Sequence, residues 1–243
     1  MRWWGWGDPD HPPVLPDHAV AFLRDKVGVA PQARPPVPLE RVRVGDPALP
    51  DAARDRLAAV VGSEHVRDDL EARVVHAAGK SYPDVVRQRA GDCEYAPDAV
   101  VYPADHDQVL GVLAVCADAQ VAVVPFGGGT SVVGGVEPLR GGFTAVVTLD
   151  LRRLDRVAGV DRRSLTATLE PGLRGPAAEA KLNAQGLTLG HFPQSYEYAT
   201  IGGYVATRSA GQASTGYGRI DELVLGLRCA SPAGELDFRP HPA

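Results

Sequence analysis

Lysine is scarce in this 243-residue chain: Lys26, Lys80 and Lys181 are the only three, and the remaining strong cations are arginines. With 25 Lys and Arg against 30 Asp and Glu the formal charge is −5, and no basic cluster is visible. Nucleic-acid binders neutralise phosphates with clustered cations, so that class of partner is excluded. Three cysteines, Cys93, Cys116 and Cys229, are too few and too scattered for a disulfide framework or a zinc site, and reduced thiols are expected. Seven histidines form no pair at metal-ligand spacing, so no metal site is expected. No apolar run approaches the roughly 18 residues of a membrane span. The first ten residues also lack the apolar stretch of a secretory signal, so a cytoplasmic protein is expected.

What is present suits a folded protein rich in turns. Apolar residues make up 44% and charged residues 23%, ordinary values for a globular chain, while 27 glycines and 21 prolines exceed ordinary usage. Ten of those prolines fall in the first fifty residues, including Pro35-Pro36-Val37-Pro38, which reads as an extended arm. All three tryptophans, Trp3, Trp4 and Trp6, sit at the start of that arm, where a packing anchor is the simplest reading.

A helix is expected from Asp51, a candidate cap, through Leu57, Ala58, Val60 and Val61 to Gly62. A second short helix is expected over Leu70 to Ala78. We place the boundary near Glu94, dividing 1–93, the arm and helical segment, from 94–243. There Pro97-Asp98-Ala99-Val100-Val101-Tyr102-Pro103 reads as a short buried strand bracketed by prolines. Asp105 and Gln108 have capping-box spacing, and Val109, Leu110, Val112, Leu113 and Cys116 continue a helical face to about Ala119. Strands are expected at Val121–Val124, at Thr144–Leu149 and through the alternation of Leu165, Ala167 and Leu169. Pro176 and Gly186 bracket a further helix. The class is α+β.

The first strand after that helix feeds Pro125-Phe126-Gly127-Gly128-Gly129-Thr130-Ser131-Val132-Val133-Gly134-Gly135. Consecutive glycines remove every Cβ from an arc, so backbone N–H groups can face an anion without help from lysine, and Thr130 and Ser131 add hydroxyls. A pyrophosphate cradle and a strained surface turn both fit this loop taken alone. Other phosphate motifs fail by position. Gly79-Lys80-Ser81 lacks the earlier Walker glycine, which would stand at Val74. The dinucleotide fingerprint would need glycine at Val132, and Pro138 discourages the following helix. A nucleophile elbow at Ser131 would need glycine at Val133. A second segment, Pro193 to Gly211, gathers Ser195, Thr200, Thr207 and Ser209 around Gly202-Gly203. Two such stretches in one domain point to a nucleotide cofactor. His191, just ahead, reads more readily as structural than catalytic.

Three pieces then resemble a known family: the glycine loop, the pattern P-x-S-x-E-x-x-T-x-G-G-x-V-A-T over 193–207, and Tyr217 to Val224. Together they are similar to the FAD-binding domain of the vanillyl-alcohol oxidase and p-cresol methylhydroxylase superfamily. The start Arg2-Trp3-Trp4-Gly5-Trp6-Gly7, His191, and Thr207-Arg208-Ser209-Ala210-Gly211 resemble its alkyldihydroxyacetonephosphate synthase branch. The resemblance implies a PCMH-type α+β domain of two α/β subdomains behind an extended and helical arm. It also implies that the chain is the N-terminal part of a protein with roughly as many residues again. It places Pro125, Phe126, Gly127, Gly128, Gly129, Thr130, Ser131 and Val132 on the FAD pyrophosphate. Gln194, Ser195, Tyr196, Glu197, Tyr198, Ala199 and Thr200, then Gly202, Gly203, Thr207, Arg208, Ser209 and Ala210, would line the ribityl and flavin portions. Gln194 stands where the synthase pattern usually has Asp. The loop holds no histidine, so non-covalent FAD is implied.

The implied activity is exchange of the acyl group of acyldihydroxyacetone phosphate for a fatty alcohol, an ether-lipid step without net redox change. An FAD-linked oxidase or dehydrogenase of a 2-hydroxy acid or alcohol, and an inactive partial domain, are the alternatives. A small-molecule or lipid substrate, encounter with a membrane surface through that lipid, and a homodimer of the full-length form go with the resemblance. No residue of this chain is assigned as catalytic.

Overall fold

A computed structural model describes residues 1–8, 10–11, 14–28 and 35–238. Pro9, Pro12, Pro13 and Pro31 of the proline-rich arm lie outside the described residues. Helix α1 (Asp17–Val27) follows Pro16 and buries none of its side chains. Helix α2 (Asp51–Val61) buries Ala53, Leu57 and Val61 and stops at Gly62, where φ is +93°. Its cap differs from expectation: Pro50 holds that position, no side chain caps it, and Asp51 is the first helical residue. Proline accounts for this, since its fixed φ already suits a helix entrance.

Strand β1 (Val66–Arg67) leads to α3 (Leu70–Val75), capped by the Asp69 carboxylate on the Ala72 N–H and ending three residues earlier than expected. Helix α4 (Tyr82–Arg89) was not expected, although its Ser81/Asp84 capping box and Pro83 are legible. Its three apolar or aromatic positions, Tyr82, Val85 and Val86, are too few to show a period. Strand β2 (Ala99–Val101) is fully buried. Helix α5 (His106–Asp118) is capped by Asp105 on the Gln108 N–H. The Gln108 side chain turns instead to the Ala104 N–H, at 2.7 Å, so the box is half-formed.

Strands β3 (Val121–Phe126) and β4 (Ala145–Asp150) are parallel, and the four strands run in the order β1-β2-β4-β3 with only β1 antiparallel. Helices α2 and α5 cover this sheet through Leu57, Val61, Val112, Val115 and Cys116, packed with Val66, Val101, Val147 and Leu149. Residues on both sides of 93/94 therefore share one core. Arg73, 6% exposed, ties the preceding loop to the sheet by donating to the Pro97 and Gly45 carbonyls.

A second core lies beyond β4. Strands β5 (Val157–Asp161) and β6 (Thr166–Leu169) form an antiparallel ribbon. Leu165 does not join an apolar face. It is 73% exposed with φ +54°, in the turn that precedes β6, because the reversal demands left-handed backbone there. Helix α6 (Gly175–Asn183) carries Pro176 in its first turn, and Gly186 follows it at φ +71°. Helices α7 (Ile201–Ala206), α8 (Ser214–Tyr217) and α9 (Ile220–Leu223) and the hairpin β7 (Arg228–Ser231)–β8 (Gly234–Asp237) complete the order. Leu173, Ala178, Ala199, Ile201, Tyr204 and Ile220 form its centre. Cys93 and Cys116 are buried, Cys229 is exposed, and none is paired.

Candidate functional site

The end of β3 delivers the glycine loop to the seam between the two cores. Phe126 turns inward, 5% exposed, with its ring 4.4 Å from that of His76. Each of the next three residues needs to be glycine because something already occupies the place of a side chain. A Cβ on Gly127 would sit 2.3 Å from Thr200 Oγ1, one on Gly128 would sit 1.9 Å from the Tyr198 carbonyl oxygen, and one on Gly129 would strike the Phe126 ring. The two segments singled out in the sequence are therefore in direct contact.

The loop's backbone donors are open. Among the described residues no acceptor is hydrogen-bonded to the N–H of Gly127, Gly128, Gly129, Thr130, Ser131 or Val132. Backbone N–H groups in folded proteins are almost always paired, and a run of free ones on Cβ-poor backbone makes an anion cradle. Ser131 is not among the open hydroxyls. Its Oγ accepts from Gly135 N at 2.9 Å and folds the loop back on itself. Pro125 and Val132 are exposed, and Thr130 is partly buried.

The second segment uses up its own groups. Its turn is closed by Tyr196 N to Pro193 O, Tyr198 N to Ser195 O and Ala199 N to Ser195 O, at 2.9 to 3.0 Å. Thr200, 2% exposed, caps α7 by accepting from Gly203 N at 3.3 Å. Gly202 lets α7 approach Pro171, whose carbonyl accepts its N–H at 2.8 Å. Gln194 and Glu197 are exposed, Ser195, Tyr196 and Tyr198 half-buried, and Ala199 buried. Thr207 Oγ1 donates to Gly203 O at 2.8 Å. Arg208, at φ +51°, reaches away to Asp221, its Nη2 2.7 Å from Oδ2, while Arg219 holds the same carboxylate. Hydrogen bonds from Arg219 and then Arg208 pull the Asp221 carboxyl well below its ordinary range. Arg208 is thus fastened to its own domain. Ser209 Oγ lies 3.1 Å from Nε2 of His191, which is 1% exposed and packed edge-on against Tyr204. Among the described residues Nδ1 of His191 has no partner, and burial lowers its pKa, so a neutral ring holds the hydroxyl. Ala210 is exposed.

Beneath the seam lies a polar cluster that sequence reasoning missed. His76, from the turn after α3, sets Nδ1 2.6 Å from Ala72 O and Nε2 2.8 Å from Asp150 Oδ2, at the end of β4. Arg152 donates to the same oxygen at 2.6 Å and stacks over Tyr102 at 5.1 Å. Burial pushes the Asp150 carboxyl up, but the His76 and Arg152 hydrogen bonds outweigh it and hold it below the usual range. These residues are 74 positions apart in the chain, so no local spacing could reveal them.

The sequence profile of the FAD binding domain matches residues 97–237, more than half of the chain. The chain belongs to the FAD-binding domain family. Within that family it is 38% identical to an alkyldihydroxyacetonephosphate synthase of Dictyostelium discoideum, over 84% of this chain and 33% of that protein. It is 34% identical to the synthase of Trypanosoma brucei brucei, over 98% of this chain and 42% of that one. A solved alkyldihydroxyacetonephosphate synthase structure superposes with a TM-score of 0.90 at 32% identity, covering 98% of this chain and 49% of its own. The chain thus spans a third to a half of the length of these relatives. A p-cresol methylhydroxylase structure shares the fold, at a TM-score of 0.60 and 18% identity. FAD is the cofactor of this FAD-binding domain, and the open amides of the glycine loop fit its diphosphate.

Proposed function

We propose that this chain forms the diphosphate-holding portion of a flavoenzyme that exchanges the acyl group of an acyldihydroxyacetone phosphate for a fatty alcohol. The observation that carries the cofactor part is the run of open amides from Gly127 to Val132, closed on one side by Tyr198 and Thr200. The reaction class follows from likeness to the Dictyostelium and Trypanosoma synthases. When bound, the flavin ring supplies an electron sink for an exchange that leaves no net redox change. Gly127 to Val132 donate to the diphosphate, and Ser195 and Ser209 offer hydroxyls further along. His191 fixes the direction of Ser209. The lipid substrate brings the protein to a membrane surface, the longer protein is a homodimer, and both act in the cytoplasm. Among the described residues no helix is long and apolar enough to cross a membrane.

The purified protein is expected to be yellow and to release FAD on denaturation. A labelled fatty alcohol should enter the product without consumption of an electron acceptor. A protein that cannot be loaded with added FAD would overturn the cofactor assignment. Likeness to glycolate oxidase subunit GlcD of Bacillus subtilis, 28% identical over 75% of this chain, favours a second reading as a hydroxy-acid oxidoreductase. Lasting bleaching of the flavin by a 2-hydroxy acid, with an acceptor reduced, would replace the exchange reading by that one.

A further inference from the structure

Lys80 is 3% exposed, and its ammonium donates only to neutral acceptors: Trp3 O at 3.1 Å, Gly79 O at 3.2 Å and Gln88 Oε1 at 3.3 Å. Among the described residues no carboxylate pairs with it. A cation taken out of water without a carboxylate in direct contact is costly, and burial draws the Lys80 pKa down to about 8 against the opposing field of Asp84. The backbone of the same residue joins two distant segments. Its N–H donates to Ser131 O at 2.7 Å, at the end of the open-amide run, and its carbonyl accepts from Trp6 Nε1 at 3.3 Å. The approach is close enough that a Cβ on Gly79 would sit 2.2 Å from Ser131 O. Trp4 lies between the Arg2 and Arg89 guanidinium groups, at 4.9 and 4.8 Å, and Trp3 packs against Val42, Val74 and Cys93. Residues 2–6 and the glycine loop are thus fastened to one buried lysine.

We propose that Lys80 is a positioning residue for the cofactor's phosphates: an anion in the Gly127–Val132 cradle is the counter-charge of its ammonium, and through it the N-terminal tryptophan segment and the loop seat together. This rests on the FAD reading. The cradle's own donors are uncharged amides, and Lys80 adds a full positive charge from behind: its ammonium sits on the carbonyl side of the Gly79–Lys80 peptide whose N–H meets Ser131 O, where low polarity lets a charge act across a peptide layer. Anion binding then favours protonated Lys80. Where the free protein has lost that proton, binding must take one up, so affinity falls as pH rises above about 8. The groups facing Lys80 are Asp84 of α4, Cys93 and the Met1 amine. For Asp84, burial is outweighed by Ser81 and Arg87, so it stays ionised; burial lifts Cys93 to about 11, so it stays neutral. The Met1 amine is lowered by its own burial first and by Arg174, with Lys80 the last contributor, so it titrates below this window.

All three tryptophans lie in this segment, so tryptophan emission reports on it alone. ADP supplies the diphosphate without a flavin ring that would quench by energy transfer. In the full chain, ADP is expected to shift the emission, and FAD affinity to fall between pH 8 and 9.5. Lys80→Gln should weaken FAD about tenfold and abolish both the shift and the pH slope. Trp6→Phe, at a half-exposed site that threatens no core, should cost about threefold. Lys26→Gln, on exposed α1, should change neither. A wild-type protein that binds neither FAD nor ADP overturns the cofactor reading and this proposal with it. A wild-type protein that binds FAD, with a folded Lys80→Gln variant within twofold and an unmoved emission, overturns the role of Lys80 alone.

Discussion

The glycine loop and the segment after Pro193 meet at Gly128 and Tyr198, yet they spend their polar groups in opposite ways. From Gly127 to Val132 the amides are open, whereas the later segment closes its turn, caps α7 with Thr200 and fastens Arg208 and Ser209 to Asp221 and His191. One side offers backbone to a ligand, and the other offers a wall whose side chains are already oriented. Gly127 and Gly128 exist first to let that wall come close, because each missing Cβ there is replaced by an atom of Thr200 or Tyr198, while Gly129 makes room for the loop's own Phe126 ring.

The largest test of this contrast is Gly128→Ala, which sets a methyl 1.9 Å from the Tyr198 carbonyl, where backbone on both sides must move. We expect a loss of about 3 kcal/mol in urea unfolding, together with loss of FAD binding. Gly216→Ala, with nothing within 4 Å, should be neutral or slightly stabilising. Equal midpoints for the two variants would sink the contact argument.

His191→Phe probes the oriented wall and should have an intermediate effect. The ring still packs on Tyr204, but the Ser209 hydroxyl loses its partner, at a cost of about 1 kcal/mol near neutral pH. Burial keeps the folded-state pKa of His191 below its ordinary 6.5. The unfolded chain therefore takes up the proton first as pH falls, and stability drops below about pH 6.5. The variant should show a shallower fall in urea midpoint from pH 7 to 5, and parallel curves would refute the neutral-ring assignment.

Arg208→Gly should do least. Glycine accepts φ +51° without strain, which offsets the lost exposed pair with Asp221. The melting temperature is expected to stay within about 3 °C, and FAD affinity within about twofold. A large loss of affinity with unchanged melting would show that Arg208 itself reaches the cofactor.

Much of the first core was legible because its signals are local. Val121 to Val124 is β-branched and apolar, and α5 carries a helical face behind Asp105; in the second core, Pro176 and Gly186 bracket α6. Helix α4 escaped because its stabilisation lies in caps and not in an apolar stripe, burying Asp84 and Gln88. Leu165 misled because alternation cannot tell a strand from the turn that introduces it. In the site, composition identified both segments, but it could not say which hydroxyls are already spent. Ser131, Thr200 and Thr207 serve the backbone.

The residues by themselves determined where backbone is free of side chains, where strands and helices begin, and that no clustered cations serve the phosphate loop. Those are properties of neighbours within a few positions, set by sterics and capping. Only the tertiary structure decided that the glycines face Tyr198 and Thr200, that His76 meets Asp150, and that Lys80 stands between Trp3 and Ser131. Such contacts form when parallel strands and packed helices bring distant segments together. Their energy comes from burial and paired polar groups across the seam, which no local spacing encodes.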